Sequence, residues 1–447
     1  MKTLIKNGII VNNGQQFRGH ILIDGDTIAY VGGDMPDTQG VTNIIDAENQ
    51  YVTPGVIDGH VHFREPGLTH KADFESESKA AVAGGVTSFL DMPNVVPQTT
   101  TNQLINERIE LATQKSVANF GFYLGATNNN IEEIRKADIT MVCGIKVFMG
   151  SSTGNMLVDE NNTLEQIFAE SPCPITVHCE DEQIIKANIA SFKERFGDKG
   201  VLPSHHPLIR TAEACYKSTA KAIELSHKYG TRLHIAHLST AAELALLEDR
   251  PMSEKTVTAE TCPHYLFFDS NNYETLGYRI KCNPAIKSPA DRQALLLALN
   301  TNKIDTIATD HAPHQPSEKF GETYFTSASG IPSVQFSLLA MLELCRNKQT
   351  DIETVVRKMC HAPADLYHIA KRGYLQSGYK ADIAIVDINK PQAITADTVL
   401  SKCKWSPFEG HTFSATVTHT FVNGNLVYHN GEFVSDKKGE ALRFNRK

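Results

Sequence analysis

Hydrophobic and polar residues follow two different patterns along the 447-residue chain. Near the start, short apolar runs at residues 4–11, 20–23 and 28–31 are separated by Asn-Gly and Asp-Gly pairs, which are typical turn sequences. Similar runs return near the end of the chain, at 381–386 and 415–422. Because each end is too short to bury a sheet face alone, the two ends are predicted to combine into one small β domain.

The middle of the chain alternates apolar, β-branched segments with helix-like stretches, which is typical of βα units and a parallel sheet. Eight is the number of strands that closes a barrel of this kind. We therefore predict an α/β fold: a (β/α)₈ barrel of the TIM type over residues 55–373, with a small β-sandwich domain formed by residues 1–54 together with 374–447. The predicted barrel strands lie at residues 56–63, 86–91, 120–126, 144–149, 175–178, 233–237, 256–261 and 305–309.

Composition and charge narrow the class of protein. Hydrophobic types make up 41% of the residues and charged types 21%, which suits one large core and a smaller domain. The net charge of −8 argues against nucleic acid as a partner. The sequence shows neither a membrane-spanning run nor a signal peptide, and its nine cysteines form no Cys-x-x-Cys pair. We expect a cytoplasmic protein with no membrane partner and reduced cysteines.

Four imidazoles and a carboxylate are predicted to meet at the mouth of this barrel. His60 and His62 are two residues apart in one strand, so both project from the same face. His178, His237 and Asp310 end three other strands, where barrel enzymes build their active sites. Imidazole with carboxylate suits Zn²⁺, and Mn²⁺ or Co²⁺ are possible substitutes.

Each of these residues also has a structural interpretation. A histidine at the end of a strand is often a hydrogen-bonded core residue, and we assign His234 to that class. Asp310 could instead cap the helix that follows it. The metal interpretation depends on the residues occurring together at one end of the barrel.

Lys146 stands in an otherwise apolar strand, where a lone ammonium would be costly unless it is paired or modified. A neutral lysine amine that faces two metal ions can add CO₂ and become an anionic carbamate able to hold both ions. The alternative is a lysine in an internal salt bridge.

Several short motifs occur along the chain: DGHVHFREPG at 58–67, DMPN at 91–94, GIKVF at 144–148, CNP at 282–284, DHAPH at 310–314, GYKAD at 378–382 and SPFEG at 406–410. Together these motifs resemble the amidohydrolase superfamily and, within it, the dihydroorotases. The resemblance extends over almost the whole chain. Two positions depart from it: some bacterial dihydroorotases carry an aspartate at the position of Lys146, and residues 283–287 replace a more usual Pro-Leu-Arg ending.

The resemblance implies roles for particular residues. Two Zn²⁺ ions are expected, one held by His60, His62, Lys146 and Asp310, and the other by a carbamate on Lys146 with His178 and His237. Arg64, Asn94 and His314 match positions that grip the substrate's carboxylate, and Asn283 matches a position that contacts its ring. Arg64 lies two residues beyond His62 and so faces the same way, and a guanidinium suits carboxylate geometry.

The resemblance also implies a reaction, the reversible hydrolysis of the cyclic amide of dihydroorotate to N-carbamoyl-aspartate in pyrimidine biosynthesis. Two metal ions would lower the pKa of a water held between them, and Asp310 would act as the general acid and base. We expect a small-molecule substrate and a homo-oligomer such as a dimer. Residues 315–329 are loop-like and are a candidate lid.

Two other functions are compatible with the same motifs. An allantoinase or a hydantoinase would share the metals and differ in the substrate pocket. A catalytically silent scaffold would usually lack one or more of the metal ligands, and none is missing here.

Overall fold

The computed structural model describes residues 2–150, 156–158 and 160–446 of the chain. Its central element is a sheet of eight parallel strands, each paired with the next in chain order. A bridge from Val61 to His311 joins the first strand to the segment that follows the last strand, so the barrel is nearly closed. The predicted (β/α)₈ fold is confirmed. The barrel strands are Val56–Val61, Val86–Asp91, Asn119–Gly125, Val142–Phe148, Ile175–His178, Leu233–Ile235, Val257–Thr261 and Thr306–Ile307.

The first four barrel strands are buried at every position. This is expected of a parallel sheet that is covered by helices outside and filled by side chains inside, and it explains the continuous apolar runs in the sequence. The sixth and eighth strands are shorter than predicted, so His237 and Asp310 lie beyond the last paired residues. The chain already turns there, with φ of +41° at His237 and +47° at Asp310.

Helices cover the outside of the barrel, and side chains cap several of their first turns. Thr101 accepts a hydrogen bond from the Leu104 amide, and Ser288 accepts one from Asp291. No helix in the described ranges is long and apolar enough to cross a lipid bilayer. The α-helices are Phe74–Ala83, Asn102–Lys115, Ile131–Arg135, Asn161–Glu170, Glu182–Gly200, His206–Ile209, Ala212–Tyr229, Ala241–Leu244, Pro263–Phe267, Tyr273–Leu276, Pro289–Leu299, Pro316–Lys319, Ser337–Arg346, Ile352–Val356 and Ala362–Tyr367.

Shorter helical turns connect these elements. Arg357–His361 is a π-helical turn between two of the last α-helices. The 3₁₀ turns are Pro203–His205, Met252–Glu254, Ser270–Asn272, Gly277–Ile280, Val334–Phe336 and Ala396–Thr398.

The segment at residues 181–210 follows the fifth barrel strand. It contains the long helix Glu182–Gly200, which begins where the Asp181 carboxylate accepts from the amides of Gln183 and Ile184. Gly197 kinks this helix with a φ of +65°, and the short helix His206–Ile209 follows.

A second, nine-stranded sheet combines strands from both ends of the chain and has its own apolar core. This matches the expectation that the two ends combine, whereas the exact domain boundaries stay a prediction. A separate two-stranded ribbon pairs Gln392–Ala393 with Thr412–Phe413. The strands of the large sheet are Lys2–Asn12, Gln15–Asp24, Thr27–Gly32, Val41–Asp46, Tyr51–Pro54, Ile383–Asp387, Thr416–Val422, Asn425–His429 and Glu432–Phe433.

The last residues of the chain close the amino-terminal end of the barrel. The Leu442 amide donates to the Phe120 carbonyl at 2.8 Å, and the Arg446 guanidinium donates to the Val142 carbonyl at 2.8 Å. Leu442 and Phe444 join a cluster of buried residues from the first barrel strands. With this end covered, the opposite end holds the polar pocket described next.

Candidate metal centre and substrate pocket

A small pocket of about 60 Å³ lies at the carboxyl end of the barrel strands. The structure brings nine of the ten predicted site residues to its wall, and the tenth, His314, lies directly behind it. Their roles as ligands or substrate contacts stay predictions. The residues that line the pocket are His60, His62, Arg64, Asn94, Lys146, Phe148, His178, His237, Asn283, Asp310, Ala312, Ser329 and Gly330.

Asp310 lies between the two histidines of the first strand. Its Oδ1 is 3.2 Å from Nε2 of His60 and 3.0 Å from Nε2 of His62. Burial raises the pKa of the Asp310 carboxyl, but the two imidazoles outweigh burial and hold it well below its usual value. His60, His237 and Asp310 each offer a ligand atom, and these three atoms lie within 4.8 Å of one another. One cation could bind all three.

His178 and His237 form the other side of the group. Nδ1 of His178 is 2.9 Å from Nε2 of His237. The buried Nδ1 of His237 finds no hydrogen-bond partner among the residues that the structure describes. Burial holds the pKa of both imidazoles below the usual value. Neutral imidazoles are the form that binds metal ions.

Lys146 extends from the fourth barrel strand into the same pocket and is fully buried. Its Nζ has no hydrogen-bond partner in the described part of the chain, which is unusual for a buried amine. The internal salt bridge considered as an alternative is absent from these residues. Burial lowers the pKa of Lys146 to about 8, so desolvation favours the neutral amine.

The donor set and the unpartnered atoms fit a pair of divalent metal ions. Four imidazoles and one carboxylate suit Zn²⁺, and a buried amine without a partner stands beside them. Three of the histidines also have a polar group on the ring nitrogen that faces away from the centre. Such outer partners fix the orientation of a ligating imidazole.

Glu260 is one of these outer groups, and it was not predicted from the sequence. Its carboxylate contacts Nδ1 of His60 at 2.6 Å and Nε2 of His234 at 3.2 Å, and it accepts from the His237 amide at 3.3 Å. Burial raises the pKa of Glu260, but His60 and His234 outweigh burial and lower it. The assignment of His234 to the hydrogen-bonded core is confirmed, since its Nδ1 also contacts Thr258 at 2.9 Å.

Glu180 is a comparable outer partner of His178. Its Oε2 is 3.1 Å from Nε2 of His178 and also accepts from the buried Arg210. A signal for both glutamates was present in the sequence. Glu260 is a carboxylate within a predicted barrel strand, and Glu180 follows a histidine at a strand end, so each would be costly to bury without a partner.

Arg64 lines another side of the pocket and is buried there. The residue is 3% exposed, its Nε donates to the Pro313 carbonyl at 3.1 Å, and its Nη2 lies 3.2 Å from Nε2 of His314. The described residues provide no carboxylate that pairs with this guanidinium. Burial lowers the pKa of Arg64 to about 10, which still leaves it charged near neutral pH. Its backbone has a φ of +69°.

The two predicted amide contacts also face the pocket. Oδ1 of Asn94 is 2.7 Å from Nδ1 of His62, so the carbonyl orients the histidine and the amide NH₂ is left for a ligand. The buried Oδ1 of Asn283 has no hydrogen-bond partner among residues 2–150, 156–158 and 160–446. Ser329 and Gly330, which the sequence analysis did not single out, complete this wall.

Comparisons with known proteins agree on the family and divide over the substrate. A model of the amidohydrolase family matches residues 51–427. A dihydroorotase of Methanosphaera stadtmanae is 31% identical over 394 residues, which are 88% of this chain and 89% of that protein. An allantoinase of Bacillus velezensis is also 31% identical, over 96% of this chain and 94% of that protein. The solved L-hydantoinase (dihydropyrimidinase) from Arthrobacter aurescens superposes with a TM-score of 0.93 at 28% identity and covers 99% of both chains.

Proposed function

Because the chain belongs to the amidohydrolase family, whose model matches most of it, we propose that this cyclic amidohydrolase is a dihydroorotase. The reaction is the reversible hydrolysis of dihydroorotate to N-carbamoyl-aspartate. Dihydroorotate carries a ring carboxylate, whereas hydantoin, dihydrouracil and allantoin carry none. The choice of substrate therefore depends on whether the pocket contains groups that bind a carboxylate.

The observation that carries the proposal is the buried, unpaired guanidinium of Arg64. A buried charge without a counter-charge is costly, and a ligand carboxylate removes this cost through two parallel hydrogen bonds. The free amide of Asn94 lines the same pocket and can donate a further bond. A neutral cyclic ureide would leave the charge of Arg64 uncompensated. The pocket therefore favours the substrate that carries a carboxylate.

The metal centre is proposed to hold two divalent ions, with zinc as the expected metal. His60, His62 and Asp310 would hold one ion, His178 and His237 the other, and a carbamate on Lys146 would hold both. When bound, such a pair polarises the scissile carbonyl and makes a water more acidic. Glu260 and Glu180 hold the outer nitrogens of His60 and His178, which keeps these two ligands oriented.

The proton transfers are assigned to Asp310. Its lowered pKa makes the carboxylate an anion at neutral pH, able to take a proton from the attacking water. As the carbon–oxygen bond forms and the ring carbon–nitrogen bond breaks, the same proton passes from Asp310 to the departing nitrogen. In the reverse direction Asp310 takes the proton from the ureido nitrogen and returns it to the departing oxygen. Arg64 and Asn94 hold the ring carboxylate in both directions.

The competing function is hydrolysis of a neutral ureide, as in an allantoinase or a hydantoinase. The sequence identity to an allantoinase and the superposition on an L-hydantoinase favour it. Such an enzyme would use the same metal ligands, so Arg64 is the residue that distinguishes it from a dihydroorotase. The silent scaffold has no specific support, because every proposed ligand is present.

The setting of the enzyme is also proposed. All nine cysteines are free thiols, as expected in a reducing compartment, and we place the enzyme in the cytoplasm. The homo-oligomer expected from the sequence stays a prediction.

Replacement of Arg64 by methionine should weaken the use of dihydroorotate without loss of metal. Removing one partner of a buried charged pair costs about 2–4 kcal/mol, so kcat/KM should fall by about 30- to 700-fold. Arg64→Lys keeps the charge but loses the planar guanidinium. Its kcat/KM should therefore lie between those of the wild type and Arg64→Met. Steady-state kinetics alongside elemental analysis measures both effects.

The control substrate is a neutral ureide. Any slow turnover of dihydrouracil should change little in Arg64→Met, since the lost group has no carboxylate to bind. An equal loss of activity on both substrates, or a parallel loss of zinc, would show that Arg64 supports the fold or the metals instead.

A further inference from the structure

Lys319 is a fully buried lysine whose side chain ends among backbone carbonyls. Its Nζ donates to the carbonyls of Lys281 at 2.7 Å, Ala328 at 3.2 Å and Gly330 at 2.7 Å. Burial lowers its pKa well below the usual value. Three acceptors nevertheless require three N–H groups, which only the ammonium provides.

Two of the three carbonyls that accept from Lys319, those of Ala328 and Gly330, lie on either side of Ser329 at the pocket wall. Ser329 and Gly330 line the pocket. The Gly330 amide donates to the Lys281 carbonyl at 2.9 Å, so this carbonyl accepts from both Gly330 and Lys319. Gly330 also packs closely, since an added Cβ would lie 2.5 Å from the Ala312 carbonyl oxygen. The wall is therefore fixed from behind at consecutive peptide groups.

The same wall holds the group behind Arg64. Nε2 of His314 is 3.1 Å from the Ser329 carbonyl, and Nδ1 is 3.2 Å from Nζ of Lys71. Nε2 also lies 3.2 Å from Nη2 of Arg64, so this one ring nitrogen faces both the Ser329 carbonyl and the guanidinium. His314 therefore contacts the wall and Arg64 at the same atom, and a shift of the wall would change its contact with the arginine.

A second buried lysine anchors the same segment farther from the pocket. Nζ of Lys281 donates to the carbonyls of Tyr324 and Ser327, each at 2.6 Å. The hydroxyl of Tyr324 in turn contacts Nδ1 of His206 at 2.7 Å. Neither Tyr324 nor Ser327 lines the pocket, so Lys281 offers a matched comparison for Lys319.

We propose that Lys319 is a positioning residue that fixes residues 328–330 as a rigid wall of the substrate pocket. The segment at 315–329 then forms a preorganised wall and does not close as a lid, contrary to the expectation from its loop-like sequence. This inference rests on the proposed function only in assigning the pocket to substrate. An apolar side chain would fill the same volume at a lower desolvation cost. The buried ammonium is therefore explained by its hydrogen bonds, which orient the backbone carbonyls.

The experiment compares Lys319→Met with Lys281→Met in the metal-loaded enzyme. Lys319→Met should raise KM for dihydroorotate by about tenfold or more, with a smaller change in kcat and unchanged zinc, because displaced positioning groups cost productive binding. Lys281→Met should leave KM within about threefold, since its carbonyl partners lie outside the pocket. Equal KM changes in the two variants would show a general structural anchor and overturn the proposal.

Hydrogen exchange of the ligand-free protein provides the second measurement, and it does not depend on the substrate. Amides of residues 328–331 should be protected in the wild type and should exchange faster in Lys319→Met. Rapid exchange in the free wild type, followed by protection on adding dihydroorotate, would identify a lid and contradict the fixed wall. If Lys319→Met does not fold, hydrogen exchange of the wild type still distinguishes a fixed wall from a lid. If only the proposed function is wrong, residues 328–331 should still be protected, but the enzyme should not turn over dihydroorotate.

Discussion

Lys146→Ala is expected to lose bound metal and activity together. The substitution removes the one anionic group proposed to hold both ions, and leaves mostly neutral imidazoles and a single carboxylate facing them. Since metals contribute several kcal/mol to this kind of hydrolysis, the rate should fall by about four orders of magnitude or more. Elemental analysis and a dihydroorotate assay on the same preparation measure both effects.

The chemistry of the bridge is tested by rescue. A short-chain carboxylic acid, supplied at high concentration with zinc, should restore part of the activity of Lys146→Ala by occupying the position of the carbamate. Lys281→Ala is the control, because this lysine is also buried yet binds only carbonyls, and added acid should not change its rate. A fully metallated, active wild type whose mass shows an unmodified lysine would contradict the carbamate.

Asp310→Asn should abolish turnover in both directions. The amide has nearly the same shape, but it cannot accept and return a proton and it binds metal poorly. A loss of general acid and base catalysis alone is expected to cost about 10²- to 10⁴-fold, and weaker metal binding adds to this. Rates should be measured at saturating zinc from dihydroorotate and from N-carbamoyl-aspartate.

Zinc content separates the two contributions in this variant. Retained zinc with lost activity assigns the proton transfer to Asp310, whereas loss of zinc identifies it mainly as a ligand. Near wild-type rates in either direction would remove Asp310 from the mechanism.

The barrel was predictable from sequence because its strands are buried on both sides and therefore appear as continuous apolar runs. The ends of the strands were less predictable. His62 lies just after the first strand, and His237 and Asp310 lie in turns with positive φ beyond short strands. Hydrophobic periodicity and secondary-structure propensity do not predict such turns. The side chains nevertheless lie at the predicted end of the barrel.

Which histidines Glu260 and Glu180 contact depended on information that local sequence does not contain. Glu260 is 200 residues from His60 along the chain, and only the register and closure of the barrel bring the two together at 2.6 Å. The proposed rigidity of residues 315–329 has a similar origin. Their loop-like sequence predicts a lid, whereas the fixed wall that we propose depends on two buried lysines, Lys319 within the segment and Lys281 outside it, that bind its backbone carbonyls.

The central claim is the identity of the substrate, and the most direct measurement is kcat/KM of the zinc-loaded wild type across a panel of cyclic amides. Dihydroorotate should exceed dihydrouracil, hydantoin and allantoin by about 30-fold or more, which corresponds to about 2 kcal/mol from the carboxylate held by Arg64. N-carbamoyl-aspartate should be cyclised by the same preparation. Faster turnover of any neutral ureide than of dihydroorotate would contradict the proposed function.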